Sequence, residues 1–240
     1  MTNILAKQDF LYQCRIAYIK IANELYHNGL DLRAIQKTSN NLINILPTQC
    51  LLREEAYKPT GIALGCPLPE SKQFELFALS HLVDARLREY SSSEQPSFAY
   101  VPADSYHITI ANRTHYESSV VSYLNGEELE AVKALIHKLH LQTIRVIAAG
   151  LILTYSGHLL VKCLPIDDKI LQLRTQLAHN FRWLRTNMPT MAHIKLGHLM
   201  VPLVNSQLQS FNAWLAMIEQ HAIFDLVFTD VYTPQGRISL

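Results

Sequence analysis

The sequence lacks a surplus of either charge: 21 Lys and Arg stand against 20 Asp and Glu in 240 residues. That balance excludes the broad basic surface that coats duplex DNA. With 49% hydrophobic and 17% charged residues it also excludes intrinsic disorder. Long apolar runs are missing as well. The N-terminus has no uninterrupted run of signal-peptide type, and the stretches around Ile16 to Leu25 and Ile147 to Leu153 are too short or too broken by charge to span a bilayer. No membrane association is expected, and the expected setting is cytoplasmic. Cysteine is scarce. Cys14, Cys50, Cys66 and Cys163 show no CxxC spacing and no clustering with His, so they read as four reduced, mostly buried thiols rather than a zinc site. No Gly-rich phosphate loop, Walker motif or Gly-x-Ser-x-Gly elbow occurs, and no cofactor is expected.

What is present is periodic. Leu11, Cys14, Tyr18, Ile21 and Leu25 recur at three- and four-residue steps before an Asn28-Gly29 stop, which predicts an amphipathic helix. A second helix is predicted from Leu32 to Leu46, closed by Pro47. After Lys58 the pattern shifts to short apolar runs alternating with amphipathic helices, so residues 1–58 read as an N-terminal helical extension and 59–240 as an α+β domain.

Within that domain one order of elements occurs twice. A strand over Gly61 to Leu68 leads into a helix opened by Pro69 with Leu76, Leu79, Val83, Leu87 and Tyr90 on one face. A Ser91 to Pro96 loop, a strand from Tyr106 to Asn112, a helix with Leu129, Val132, Ile136 and Leu139 inward, and a strand from Ile144 to Thr154 follow. A turn at Ser156-Gly157 opens the second cycle: a strand from His158 to Leu164, a helix opened by Pro165-Ile166-Asp167 with Ile170, Leu173, Leu177, Phe181 and Leu184 on one stripe, and a strand from Ala192 to Leu199. A helix carrying Leu208, Phe211, Leu215 and Ile218 and a last strand near Ile223 to Thr229 complete it. The repeat implies two pseudo-symmetric lobes.

The chemistry sits on the second strand of each cycle. In Tyr106-His107-Ile108-Thr109-Ile110 the isoleucines share the face that seeks the core, leaving His107 and Thr109 together on the other. In Ala192-His193-Ile194-Lys195-Leu196 the alternation repeats, with His193 and Lys195 in the matching slots. If the lobes pack about a pseudo-two-fold axis, two imidazoles meet across one cleft, one to accept a proton from an attacking oxygen and one to donate to a leaving oxygen, near an unperturbed pKa of about 6.5. His193 and His198, five residues apart on a strand, are expected on opposite faces. Tyr106 and Arg113 flank the first motif as possible substrate contacts; Arg113 is placed to reach a phosphate or to form a surface salt bridge, and Phe98, Tyr100, Tyr106 and Tyr116 read as core or rim aromatics or as a platform for a base. His158 carries no partner pattern and is assigned no role.

The pair His107-Ile108-Thr109-Ile110 and His193-Ile194-Lys195-Leu196 resembles the 2H phosphoesterase superfamily, with Lys195 replacing the second hydroxyl. The resemblance covers roughly Pro59 onward. It implies a duplicated two-lobed α+β fold with antiparallel sheets around a central cleft, His107 and His193 as general acid and base, and Thr109 and Lys195 as phosphate ligands. The implied activity is metal-independent hydrolysis of a cyclic phosphodiester, the 2′,3′-cyclic phosphate of an RNA end or small nucleotide. Lys195 motivates a second expectation, a non-catalytic nucleotide- or RNA-end-binding module. Tyr12, Tyr18 and Tyr26, which would extend an exposed apolar stripe, raise a third: the helical N-terminus is a docking or dimerisation element, or equally a cover for the lobe.

Overall fold

The predicted first helix forms as α1 (Thr2–Asn28) and is followed by α2 (Leu32–Ile45). Asp31 caps α2: its carboxylate accepts from the backbone N–H groups of Arg33 and Ala34, both at 3.0 Å. The computed structural model describes residues 2–45, 62–90, 97–113, 124–185, 191–233 and 235–240. Cys50, the composition shift near Pro59, the Ser91 to Pro96 loop and Tyr116 lie outside the described residues.

The remaining elements are β1 (Ile62–Pro67), α3 (Glu70–Arg88), β2 (Phe98–Tyr100), β3 (His107–Arg113), α4 (Gly126–Leu139), β4 (Ile144–Leu153) and β5 (His158–Pro165). Then come α5 (Lys169–Asn180), β6 (Leu184–Arg185), β7 (Ala192–Leu199), α6 (Asn205–Ile218), β8 (Ile223–Phe228), β9 (Asp230–Thr233) and β10 (Gly236–Ser239). They build two antiparallel five-stranded sheets, in the orders β10-β9-β1-β3-β6 and β2-β7-β5-β4-β8. Leu76, Leu79, Val83 and Leu87 of α3, Val132 and Ile136 of α4, and Ile170, Leu173 and Leu177 of α5 are buried against them, as the helical periodicity predicts. Among the described residues no helix is long and apolar enough to cross a membrane.

Read outward from the motif strands, the sheets match position by position: β3 lies between β1 and β6, and β7 lies between β5 and β2. The edge strands are exchanged. β2, which precedes β3 in the chain, pairs with β7, and β6, which precedes β7, pairs with β3. At Gly197 a Cβ would lie 2.3 Å from the Phe98 ring and 2.4 Å from the Ala99 carbonyl oxygen, so β2 can approach β7 this closely only beside a glycine.

Several elements depart from the expectation. The last strand predicted near Ile223 to Thr229 becomes three strands, with the chain crossing between sheets at Thr229 to add β9 and β10 to the first. The three-residue strand β2 is also new, because a run that short shows no alternation to read. Pro165 does not open a helix: it pairs with Val146 and ends β5, the Ile166 N–H extends the ladder to the Arg145 carbonyl at 3.0 Å, and α5 begins only at Lys169. Leu184 leaves the predicted helix stripe because it pairs with Arg113 across the lobes as part of β6.

α1 does not stand apart from this body. Tyr18, with the flanking Ala17 and Ile21, packs on Ile152, Leu160 and Met191, and each large side chain buried this way contributes about 1.5–3 kcal/mol. The Tyr18 hydroxyl enters the end of the β5–β7 ladder, accepting from the Cys163 N–H at 3.0 Å and donating to the Ala192 carbonyl. That burial removes Tyr18 from the expected exposed stripe, which keeps Tyr12 and Tyr26 at 60% and 84% exposure. The hairpin end is tied down too: Tyr155 donates to the Asp31 carboxylate at 3.0 Å, and Ser39 donates to the Met200 carbonyl at 2.8 Å.

Candidate active site

Burial along β3 follows the predicted alternation: Ile108 and Ile110 are in the core and His107 and Thr109 are half-buried on the other face. On β7, Ile194 and Leu196 are in the core while His193 and Lys195 are half-buried. The two motif strands lie against each other. A side chain absent from the sequence reading ties them together. Arg174 of α5, 3% exposed, donates to the Thr109 carbonyl at 2.6 Å and to the Met191 carbonyl at 3.0 Å, so one guanidinium joins β3 to the residue just before β7. Its signal was a cation four residues after Ile170 and three before Leu177, inside an apolar stripe.

The His107 ring is oriented by its neighbours. Its Nδ1 lies 2.6 Å from the Ser105 carbonyl oxygen, which can only accept, so Nδ1 carries the proton in the neutral ring. Nε2 is then the basic nitrogen, and the Thr109 hydroxyl donates to it at 3.2 Å. Tyr232 of β9 meets the ring edge-on at 5.8 Å between centroids. Space for this pair comes from Gly65, opposite Thr109 on β1, where a Cβ would lie 2.9 Å from the Tyr232 ring and 3.2 Å from that of His107. Tyr232 was not legible in the sequence because the four-residue β9 was not.

Burial changes the electrostatics expected of free imidazoles. It lowers the His107 pKa, against the opposing pull of the Ser105 hydrogen bond. His193 falls to about 4 through burial, then through the positive charge of Arg174, with His107 and Lys195 adding to it. Lys195 falls to about 8 through burial, which leaves it mostly charged at pH 7. Burial therefore disfavours the charged form of both motif histidines, where the sequence alone implied ready access to both forms. Among the described residues His193 Nδ1 has no hydrogen-bond partner.

A β-bulge follows each motif and redirects what comes after it. On β7, Lys195 pairs with Leu160 and Gly197 with Leu159, so Leu196 is the extra residue. On β3, Thr109 pairs with Gly65 and Ala111 with Leu64, so Ile110 occupies the same place. The expectation that His193 and His198 face opposite sides is therefore overturned. His193, Lys195 and His198 pair with Lys162, Leu160 and His158, alternate residues of β5, and so share one face with them. The His158 and His198 rings meet edge-on at 4.6 Å, and His198 Nε2 lies 2.9 Å from the Ser156 carbonyl. His158, assigned no role in the sequence, thus shares the face that carries His193 and Lys195, its pKa depressed to about 2 by burial and then by Lys195, His198 and His193.

The two flanking candidates do not join the site. Tyr106 is 1% exposed, with its hydroxyl 3.1 Å from that of Ser80, which makes it a core residue rather than a substrate contact. Arg113 lies beyond the β3 bulge; it pairs with Glu128, and its guanidinium sits 5.0 Å from the centroid of the Trp183 ring. Glu128 is itself held by a capping box with Asn125, which anchors that pair at the start of α4.

No family model matches this sequence, and no curated protein matches it. Among solved structures the chain is similar to Usb1 of Kluyveromyces marxianus, with a TM-score of 0.46 and 11% identity over 75% of this chain and 98% of that one. It is similar to the same protein with uridine monophosphate at a TM-score of 0.44 and 12% identity, over 76% and 100% of the two chains. A conserved protein of unknown function from Agrobacterium tumefaciens, ATU0111, matches with a TM-score of 0.44 and 14% identity over 75% and 84%. The chain's own strands give the architecture implied by the 2H phosphoesterase resemblance: a duplicated α+β fold in which a His-x-Thr strand and a His-x-Lys strand adjoin where two antiparallel sheets meet.

Proposed function

We propose that the protein is a metal-independent phosphodiesterase that opens the 2′,3′-cyclic phosphate of an RNA end or small nucleotide. The observation that carries this reading is the adjacency of β3 and β7, with Arg174 bridging Thr109 of β3 and Met191 just before β7, and with an imidazole followed two residues on by a hydroxyl or an ammonium on each strand. His107 acts as the base, because the Ser105 carbonyl fixes the proton on Nδ1 and leaves Nε2 to take one from water. As the water oxygen bonds to phosphorus, the bond from phosphorus to one ribose oxygen breaks, and the imidazolium of His193 protonates that oxygen. The product is a ribose phosphomonoester, with the proton count conserved across the two rings. His193 holds its proton in this step because the bound phosphate's negative charge opposes the field of Arg174 and Lys195. Thr109 and Lys195 bind the phosphate oxygens. The buried free thiols Cys14, Cys66 and Cys163 fit a reducing, cytoplasmic setting.

A second reading, a nucleotide- or RNA-end-binding module without turnover, is favoured by one observation: the pKa of His193 near 4 disfavours the acid form that catalysis needs. Purified protein incubated with a 2′,3′-cyclic nucleotide in chelator separates the two. The phosphodiesterase reading expects turnover that falls by about 10²–10⁴ in His107→Ala and in His193→Ala. Binding with no turnover selects the module, and turnover that survives either substitution removes the two-histidine mechanism.

A further inference from the structure

A cavity of about 690 Å³ opens at the end of β1, beside His107. Both segments that hold the imidazole form part of its wall. Pro67 pairs with His107 across the β1–β3 ladder and so lies on the same face of the sheet. The 3-10 turn Ala103–Ser105, whose last carbonyl fixes His107 Nδ1 at 2.6 Å, contributes Ala103 and Asp104. A third side comes from β9 and β10. Asp230 lies two residues before Tyr232, whose ring meets that of His107, and Arg237 pairs with Tyr232, so all three share one face. The first turns of α3 close the cavity with Glu70, Gln73 and Phe74.

Its size falls in the range of small-molecule sites, roughly 300–1,000 Å³. Leu68 and Phe228, each 3% exposed, line its floor, and the Phe74 ring, 64% exposed, offers a stacking surface for a flat heterocycle. The side-chain donors are already engaged. Thr229 donates to the Asp230 carboxylate at 3.1 Å, the Gln73 amide nitrogen to the Leu68 carbonyl at 2.9 Å, and the Arg237 guanidinium lies 3.6 Å from Asp230. The acceptors are open. Among the described residues neither Glu70 nor Asp104 has an ion-pair partner, and Gln73 keeps its Oε1 to accept. α3 begins without a side-chain cap, but Glu70 in its first turn already supplies the negative charge that a helix N-terminus attracts. The cavity therefore suits an uncharged, flat ligand rich in N–H groups, not an anion.

A nucleobase has that chemistry, and the bases differ in how well they fit it. Guanine presents an N1–H and an amino group side by side, which one carboxylate accepts together; adenine and cytosine present a single amino group. Uracil presents one N–H between two carbonyl oxygens, which open carboxylates repel. We propose that this cavity holds the base of the nucleoside that carries the phosphate, and that Glu70 and Asp104 select guanine over uracil. The proposal rests on reading the face of His107 and His193 as the phosphate site.

Calorimetric titration of the full chain with guanosine 3′-monophosphate and with uridine 3′-monophosphate at pH 7.5 tests it without requiring turnover. The guanosine nucleotide is expected to bind about tenfold more tightly. Glu70→Ala combined with Asp104→Ala, both at exposed positions, should bring the two to near equality. Phe74→Ala should weaken both nucleotides while leaving their ratio unchanged, because stacking is tolerant of base identity. Equal affinities, tighter binding of the uridine nucleotide, or a preference that survives the double substitution would overturn the proposal. Turnover of the guanosine and uridine 2′,3′-cyclic monophosphates is measured separately. A guanine preference in binding with no turnover of either removes the phosphodiesterase reading alone. Turnover of both with no base preference removes this proposal alone, and binding of neither nucleotide removes both.

Discussion

Arg174 joins two carbonyl groups that belong to opposite lobes, at Thr109 and at Met191, and so sets how the two motif strands sit relative to each other. The planar fork makes that possible; an ammonium is a point donor that cannot reach both in one plane. Arg174→Lys keeps the charge that depresses His193 but loses the fork. We expect a folded protein whose kcat falls about tenfold or more, with KM and the pH limb due to His193 little changed. Steady-state kinetics across pH checks this, and wild-type kcat in Arg174→Lys would show that the fork is not needed. At this scale, His107 and His193 were legible because a two-residue alternation survives in the bare sequence. His198 and His158 were not, because the bulge at Leu196 has no mark of its own in an otherwise regular strand pattern. Tyr106 looked like a cleft residue only because it neighbours His107, and strand geometry turns it to the core beside Ser80.

Among the elements, those long enough to show a period were predicted in kind and place: β7 from end to end, α1, α3, α4 and α6 by their inward faces, with α1 starting at Thr2, well before the Leu11 where its pattern begins. The omissions are β2, β6, β9 and β10, of two to four residues each; β2, β6 and β9 take their extended form from partner strands elsewhere in the chain, and β10 folds back on β9. α1 was read correctly as a helix, and of the two roles left open for it, docking face or cover for the lobe, the packing of Tyr18 agrees with the second. It packs on the face of the second sheet that carries Lys195, since Leu160 both pairs with Lys195 and touches Tyr18. The Tyr18 hydroxyl stands between Cys163 and Ala192 at the last rung before His193. Tyr18→Phe leaves that N–H and carbonyl short of a partner, at a cost of about 1–3 kcal/mol. For a chain of this size the melting temperature should drop by about 2–4 °C per kcal/mol. Scanning calorimetry that finds Tyr18→Phe as stable as the parent would show that the hydroxyl does not brace the ladder.

For the molecule as a whole, the buried imidazoles set the response to acid. His193 and His198 titrate near 4 and His158 near 2 in the folded protein, against about 6.5 in an unfolded chain. The unfolded state therefore binds more protons below pH 6.5, and stability that is complete above that value is lost as pH falls toward 4. Each histidine contributes a slope of about 1.4 kcal/mol per pH unit within that window. Denaturant melts between pH 7.5 and 4.5 should show this steep loss, and His158→Gln should make it shallower; a profile flat down to pH 4.5 would contradict it.

The exchange of β2 and β6 bears on how such a molecule comes into being. Phe98 finds Leu199 and Asn112 finds Arg185 across most of a lobe's worth of chain. Pairings this distant in sequence close late, after the local hairpins and helices. A nascent polypeptide that has emerged only as far as β6 already carries His107, yet has nothing to set opposite it. Its β2 must wait, unpaired, for a strand still inside the ribosome. Translation thus delivers the second histidine and the partner of that waiting strand in a single segment, so the cleft and the closure of the lobes arrive together.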